Sequence, residues 1–175
     1  MSNKKTTTTK QNLTTFGKIW RAALCILAPL GGGFIISLFS RNAMDQFGML
    51  KQPPLAPPAW LFPVAWTILY ILMGIASFLI CLKFINSKNP TKSAAKTALI
   101  IYSVQLLLNF IWTPIFFNAN QYWLALVVLI AMWVLEIILL VKTYKISRAA
   151  FLCLFPYILW TTFAAYLNIS IAILN

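Results

Sequence analysis

Three tryptophans and three amides, set at helical intervals, are the side chains of this chain best suited to bind or react with a ligand. Gln105, Asn109, Trp112 and Phe116 recur at i, i+4, i+7 and i+11, the register of one stripe along a helix. Trp66, Tyr70 and Met73 stack similarly with Gly74 beside them, and Trp160, Ala164 and Asn168 follow at i, i+4 and i+8. An amide in an apolar medium is costly unless it meets a partner or a cavity. Gln105, Asn109 and Asn168 should therefore face inward and carry the indoles of their stripes with them. An interior lined by indoles with a few polar anchors suits binding of a planar, hydrophobic ligand. The same spacing also describes interhelical amide bonds worth about 0.6–2 kcal/mol each, with aromatics packed around them. Spacing alone leaves pocket and packing open.

Other chemistry lacks residues to run on. The chain has no His, and its acids are Asp45 and Glu136 alone, which excludes hydrolytic triads, His-based metal sites and carboxylate dyads. Cys25, Cys81 and Cys153 lie far apart in apolar surroundings and read as buried thiols, not as disulfide or metal ligands. No metal and no intrinsic cofactor is expected.

The elements that must position these stripes are set by hydropathy. Residues Ala22–Ser40, Gln52–Leu82, Thr97–Leu135 and Ala149–Asn175 carry no charged side chain, and the third is long enough for two helices with a hairpin at Asn118–Gln121. A bilayer core takes roughly 20 apolar residues per helix, which predicts five spans over about 19–40, 59–83, 98–117, 121–142 and 149–173. Backbone groups in hydrocarbon must be satisfied within each segment, so the spans are helices. With 61% hydrophobic and 9% charged residues, a water-soluble domain of this size is excluded. The expectation is an all-α integral membrane protein: a disordered basic tail over 1–18, then one five-transmembrane-helix bundle over 19–175. The first span is too long for a signal-peptide core and no small-residue cleavage site follows it, so it reads as a retained helix.

The formal charge of +12 is distributed by topology. Lys4, Lys5, Lys10, Lys18 and Arg21, then Lys83, Lys88, Lys92 and Lys96, then Lys142, Lys145 and Arg148 fall at one end of the bundle; Arg41 and Lys51 fall at the other. Cytoplasmic loops carry the excess of Lys and Arg. This bias predicts a cytoplasmic N-terminus and an outward C-terminus in a bacterial cell membrane. The basic residues are orientation signals and anionic-lipid contacts, with no role toward nucleic acid. Glu136 lies near the inner end of the fourth span and is expected to snorkel toward Lys142, a buried functional acid being the alternative.

Pro53-Pro54-Leu55-Ala56-Pro57-Pro58, in the long connection after the first span, should be stiff and extended. It reads as a lid over the outer mouth of the bundle or as a rigid connector. Trp20, Trp60 and Trp123 sit at predicted helix ends and belong to the interfacial aromatic belt. Gly31, Gly32 and Gly33 allow close backbone approach, for an intrachain contact or for a homodimer seam.

Three blocks resemble the translocator protein or tryptophan-rich sensory protein (TspO/MBR) family: Pro57 to Gly74 (PPAWLFPVAWTILYILMG), Gln105 to Phe117 (QLLLNFIWTPIFF) and Pro156 to Asn168 (PYILWTTFAAYLN). The glycine run between Pro29 and Phe34 is similar to the family's small-residue stretch. The resemblance implies a five-helix bundle, commonly dimeric, that binds porphyrins, sterols and synthetic isoquinoline or benzodiazepine ligands. The implied pocket residues are Trp66, Asn109, Trp112, Trp160 and Ala164, with Phe163 and Leu167 nearby. Tyr70 on the second-span stripe, and Phe47 and Pro57 of the loop, complete the candidate ligand-binding set. The implied activity is that of a receptor or sensor for protoporphyrin IX and related tetrapyrroles. Alternatives are light- and oxygen-dependent porphyrin breakdown supported by Trp66 and Trp160, or tetrapyrrole or sterol transport. Inverted repeats or broken helices, usual in transporters, are not evident.

The chain departs from the family pattern in the loop. Gln46-Phe47 stands for a Trp-Tyr pair, Gln52 for a Lys and Leu55 for a Trp; Val127 and Val128 stand where many members have an acid. No Lys or Arg follows Tyr166, so the C-terminal sterol pattern of animal members is absent, although Val141 to Arg148 fits that loose pattern.

Overall fold

A computed structural model describes residues 14–175. Among them are six helices: α1 (Thr15–Phe39), α2 (Ala43–Met49), α3 (Leu61–Asn86), α4 (Thr91–Thr113), α5 (Tyr122–Ile146) and α6 (Arg148–Leu174). A π-helical turn, Pro114–Asn118, extends α4. Five of these helices are long and apolar enough to cross a membrane. The fold is the expected all-α five-span bundle. Residues 1–13 of the expected tail lie outside the described residues.

Two boundaries moved for identifiable reasons. Helix α1 starts at Thr15 because the Thr14 hydroxyl caps it, accepting from the Gly17 amide at 3.2 Å. Helix α4 begins at Thr91, well before the apolar run, because the lysines of its first turns extend outward from a continuous helix. Proline also shapes its other end. Pro114 has no N–H, and the chain widens there to a bond from the Ala119 amide to the Pro114 carbonyl at 2.9 Å. Asn120, at φ 52°, then reverses the chain into α5.

Helices α3, α4, α5 and α6 pack in a ring, and α1 lies against α3 with a lighter contact to α4. Glycines set the closest approaches. A Cβ on Gly74 would fall 2.6 Å from the Ile26 Cα, so α1 and α3 touch backbone to backbone. A Cβ on Gly32 would overlap the Phe110 ring, and one on Gly33 the Tyr70 ring, each at 2.2 Å. Two of the three consecutive glycines thus accommodate side chains of their own chain, while Gly31 meets nothing within 4 Å. Trp20, Trp60 and Trp123 are exposed near helix ends, as a belt requires.

The connection between α1 and α3 is more structured than its sequence suggested. It contains α2, whose Ala43 and Phe47 are buried one turn apart, with Phe47 set against Phe62 at 4.8 Å. The proline run is not simply extended. The Ala56 amide donates to the Pro53 carbonyl at 3.2 Å, closing a turn in which Leu55 takes φ 68°. Pro54 fixes the second position of that turn, which leaves the left-handed strain to Leu55. Helix α6 anchors the segment: the Tyr166 hydroxyl donates to the Pro54 carbonyl at 2.6 Å, and the Asn175 side chain bonds the Lys51 amide and carbonyl at 3.0 and 3.2 Å.

Candidate functional site

A cavity of about 460 Å³ lies between α1, α3 and the C-terminal end of α4, beneath α2. Pro63, Trp66, Thr67 and Tyr70 line it from α3 at i, i+3, i+4 and i+7. Leu30, Gly33, Phe34 and Ser37 repeat that register on α1. Trp112, Thr113 and Phe117 close the α4 side, and Ala43 and Met44 of α2 close the top. No lining residue is charged. The Thr67 and Ser37 hydroxyls are engaged by their own helices, donating to the Pro63 and Phe34 carbonyls, each at 2.7 Å. The Ser40 hydroxyl is buried at the cavity edge with no partner among the described residues. Exposed Arg41 follows it.

Behind the wall runs a buried polar network. Tyr70 donates to the Asn109 carbonyl oxygen at 2.7 Å, and the Asn109 amide nitrogen donates to the Tyr157 hydroxyl at 3.1 Å. Tyr157, fully enclosed, donates to Gln105 Oε1 at 3.0 Å. A second link joins the Trp112 indole N–H to Asn168 Oδ1 at 3.1 Å, and Asn168 in turn donates to the Tyr122 carbonyl at 2.9 Å. The amides thus make the interhelical bonds that hold Tyr70, Tyr157 and the Trp112 indole in place.

Glu136 does not snorkel. It is buried between α5 and α6, where the Thr161 hydroxyl donates to its Oε2 at 2.6 Å, while Oε1 has no partner among the described residues. The reason is angular: position 136 falls on the same inward face as Met132, Leu139 and Thr143, all buried, so its side chain cannot turn toward Lys142. Among the described residues, no cluster of three or more His, Cys, Asp or Glu side chains could hold a metal ion.

Of the residues singled out in sequence, the structure brings Trp66, Tyr70 and Trp112 together on the cavity wall, with Asn109 one hydrogen bond behind. Trp66 also reaches inward, its ring 5.4 Å from Tyr70 and 6.2 Å from Tyr157. Trp160 stands apart from the cavity lining, its ring 6.0 Å from Phe62 and 6.0 Å from Phe163. Ala164 and Pro57 are half-buried, and Leu167 and Phe47 are buried; none of the four lines the cavity. The sequence reading missed α1 and α2 as walls. Their signals were the i, i+3, i+4, i+7 stripe from Leu30 and the Ala43–Phe47 pair with Asp45 in the first turn of α2.

The TspO/MBR family profile matches residues 25–174. The chain belongs to the TspO/MBR family. It is 34% identical over 159 residues to the tryptophan-rich protein TspO of Chlorobaculum tepidum, covering 90% of this chain and 98% of that one. It is 32% identical over 164 residues to protein CrtK of Rhodobacter capsulatus, with 94% of both chains covered. The similarity extends to animals: the translocator protein of Sus scrofa is 35% identical over 146 residues, covering 81% of this chain and 82% of that protein. In this TspO/MBR member, then, the family's tryptophan-rich blocks fall on α3, α4 and α6, and both α3 and α4 reach from the cavity wall to α6, α3 by packing and α4 by side-chain hydrogen bonds.

Proposed function

We propose that this protein is a membrane receptor or sensor for porphyrins, with protoporphyrin IX or a similar tetrapyrrole as its ligand. The observation that carries the reading is the composition of the cavity wall: two indoles, a phenol ring, three phenyl rings and uncharged aliphatic and hydroxyl groups around about 460 Å³, within the roughly 300–1,000 Å³ usual for small-molecule sites. A planar macrocycle would stack on Trp66 and Trp112, with Ser40 as a hydrogen-bonding anchor and Arg41 meeting an acidic edge. Trp160, Phe163, Ala164, Leu167, Phe47 and Pro57 would take part if binding opens the packed aromatic layer around Phe62. The basic residues gathered at one end favour a bacterial cell membrane with the N-terminus inside, and outward-facing Gly31 is available to a homodimer seam.

A second reading rests on Trp66. An oxidisable indole on the cavity wall would lie against a bound porphyrin, as light- and oxygen-dependent breakdown requires, with Trp160 as the other candidate. One titration separates the two. Detergent-purified protein is titrated with protoporphyrin IX in the dark while tryptophan fluorescence is followed, and is then illuminated. Saturable quenching that weakens at least tenfold in Trp66→Ala and Trp112→Ala supports the receptor; loss of the porphyrin absorption band only in light, and only with Trp66 present, adds turnover. Quenching that never saturates, or that survives both substitutions, refutes the assignment.

A further inference from the structure

A second depression, of about 250 Å³, lies on the membrane-facing seam of α5 and α6 at the opposite end from the first cavity. Its wall is Ile137, Leu140, Val141 and Tyr144 of α5 with Phe151 of α6, and Lys145 stands at its end. The Tyr144 and Phe151 rings meet edge to face at 5.3 Å, and the Arg148 guanidinium lies 3.5 Å above the Tyr144 ring. Stacking fixes one cation on a ring of the groove wall, and Lys145 supplies a second at its end. Neither has a carboxylate to neutralise it: Glu136 is buried and bonded to Thr161, and Asp45 is in α2 at the other end of the bundle. The N-terminus of α6 adds its positive dipole end at the same place.

The geometry points to this groove as a binding site for an anionic phospholipid, with an acyl chain along Ile137, Val141 and Phe151 and the phosphate held between Lys145 and Arg148. Length and charge both select that occupant. From Lys145 to Ile137 the groove runs about 12 Å along α5, close to the roughly 15 Å of one hydrocarbon leaflet. A free anion would leave the apolar wall uncovered. A sterol, with one neutral hydroxyl, would leave both cations without a counter-charge.

The test is association of spin-labelled phosphatidylglycerol and phosphatidylcholine with the full chain in phosphatidylcholine vesicles, read as the motionally restricted fraction of label. Wild type should prefer phosphatidylglycerol. Lys145→Gln with Arg148→Gln should lower that preference by about fivefold for each charge removed. Val141→Trp, which fills the groove and leaves every charge in place, should lower it several-fold as well. Lys88→Gln with Lys96→Gln, exposed cations on α3–α4 at the same end, should change it less than twofold. An equal loss in that remote pair would show a diffuse surface field, and no effect of Val141→Trp would show charge attraction without a groove. Displacement of phosphatidylglycerol by inorganic phosphate at constant ionic strength, or stronger restriction of a spin-labelled sterol at this groove, would also overturn the assignment.

Discussion

Replacing Gly33 with alanine drives a methyl group into the Tyr70 ring, 2.2 Å from Cε2, 2.9 Å from Cδ2 and 3.0 Å from Cζ. The ring has little room to yield. Its hydroxyl is bonded to Asn109 at 2.7 Å, and it sits between Trp66 and Phe110 at ring distances of 5.4 and 6.1 Å. Overpacking of this kind costs about 1–3 kcal/mol. Breaking the Tyr70–Asn109 bond adds about 0.6–1.5 kcal/mol, and the better helix propensity of alanine offsets about 1 kcal/mol. The net loss is about 0.6–3.5 kcal/mol, or about 1–14 °C in Tm for a chain of this size. Gly31→Ala is the matched control; with nothing within 4 Å of its Cβ, it should be neutral or stabilising by up to about 1 kcal/mol. The assay is thermal unfolding in detergent followed by circular dichroism. On a Tyr70→Leu background the Gly33→Ala penalty should shrink to less than half, because the clashing ring atoms are gone. Should Gly31→Ala cost as much as Gly33→Ala, or the penalty persist in full with Tyr70→Leu, the glycine run would be packing against something other than its own α3.

Two further outcomes follow from buried or strained positions. Glu136→Gln keeps an acceptor for the Thr161 hydroxyl and should change stability by less than about 1 kcal/mol, whereas Glu136→Ala opens the α5–α6 seam and should lose about 2–4 kcal/mol; equal stability of the two in the same unfolding assay would mean that the side chain is not packed there. Leu55→Gly relieves a φ of 68° in an exposed turn and should stabilise the loop by about 1 kcal/mol, measured as slower proteolysis between α2 and α3; faster cleavage would show that the leucine side chain itself holds the loop down.

The spans were legible in the amino-acid sequence, because the cost of an unsatisfied backbone group in hydrocarbon makes a run of about 20 apolar residues a helix whatever surrounds it. The inward turn of Gln105, Asn109 and Asn168 was legible for the same reason, since a buried amide must find a partner. The family blocks were legible too. What those amides bond was not: Tyr70, Tyr157 and Trp112 come from residues 39 to 56 positions away, and only the packing of α3, α4 and α6 brings them within 3.1 Å. The burial of Glu136 hung on one helix rotation, which local charge near Lys142 could not reveal. The cavity was the least legible feature. It depends on α1 lying outside the ring of four helices, on Gly33 admitting the Tyr70 ring, and on a seven-residue helix, α2, that folds over the top because Phe47 finds Phe62. Such a short helix has too little propensity to declare itself in a sequence, and it forms here because tertiary contacts bury one of its faces.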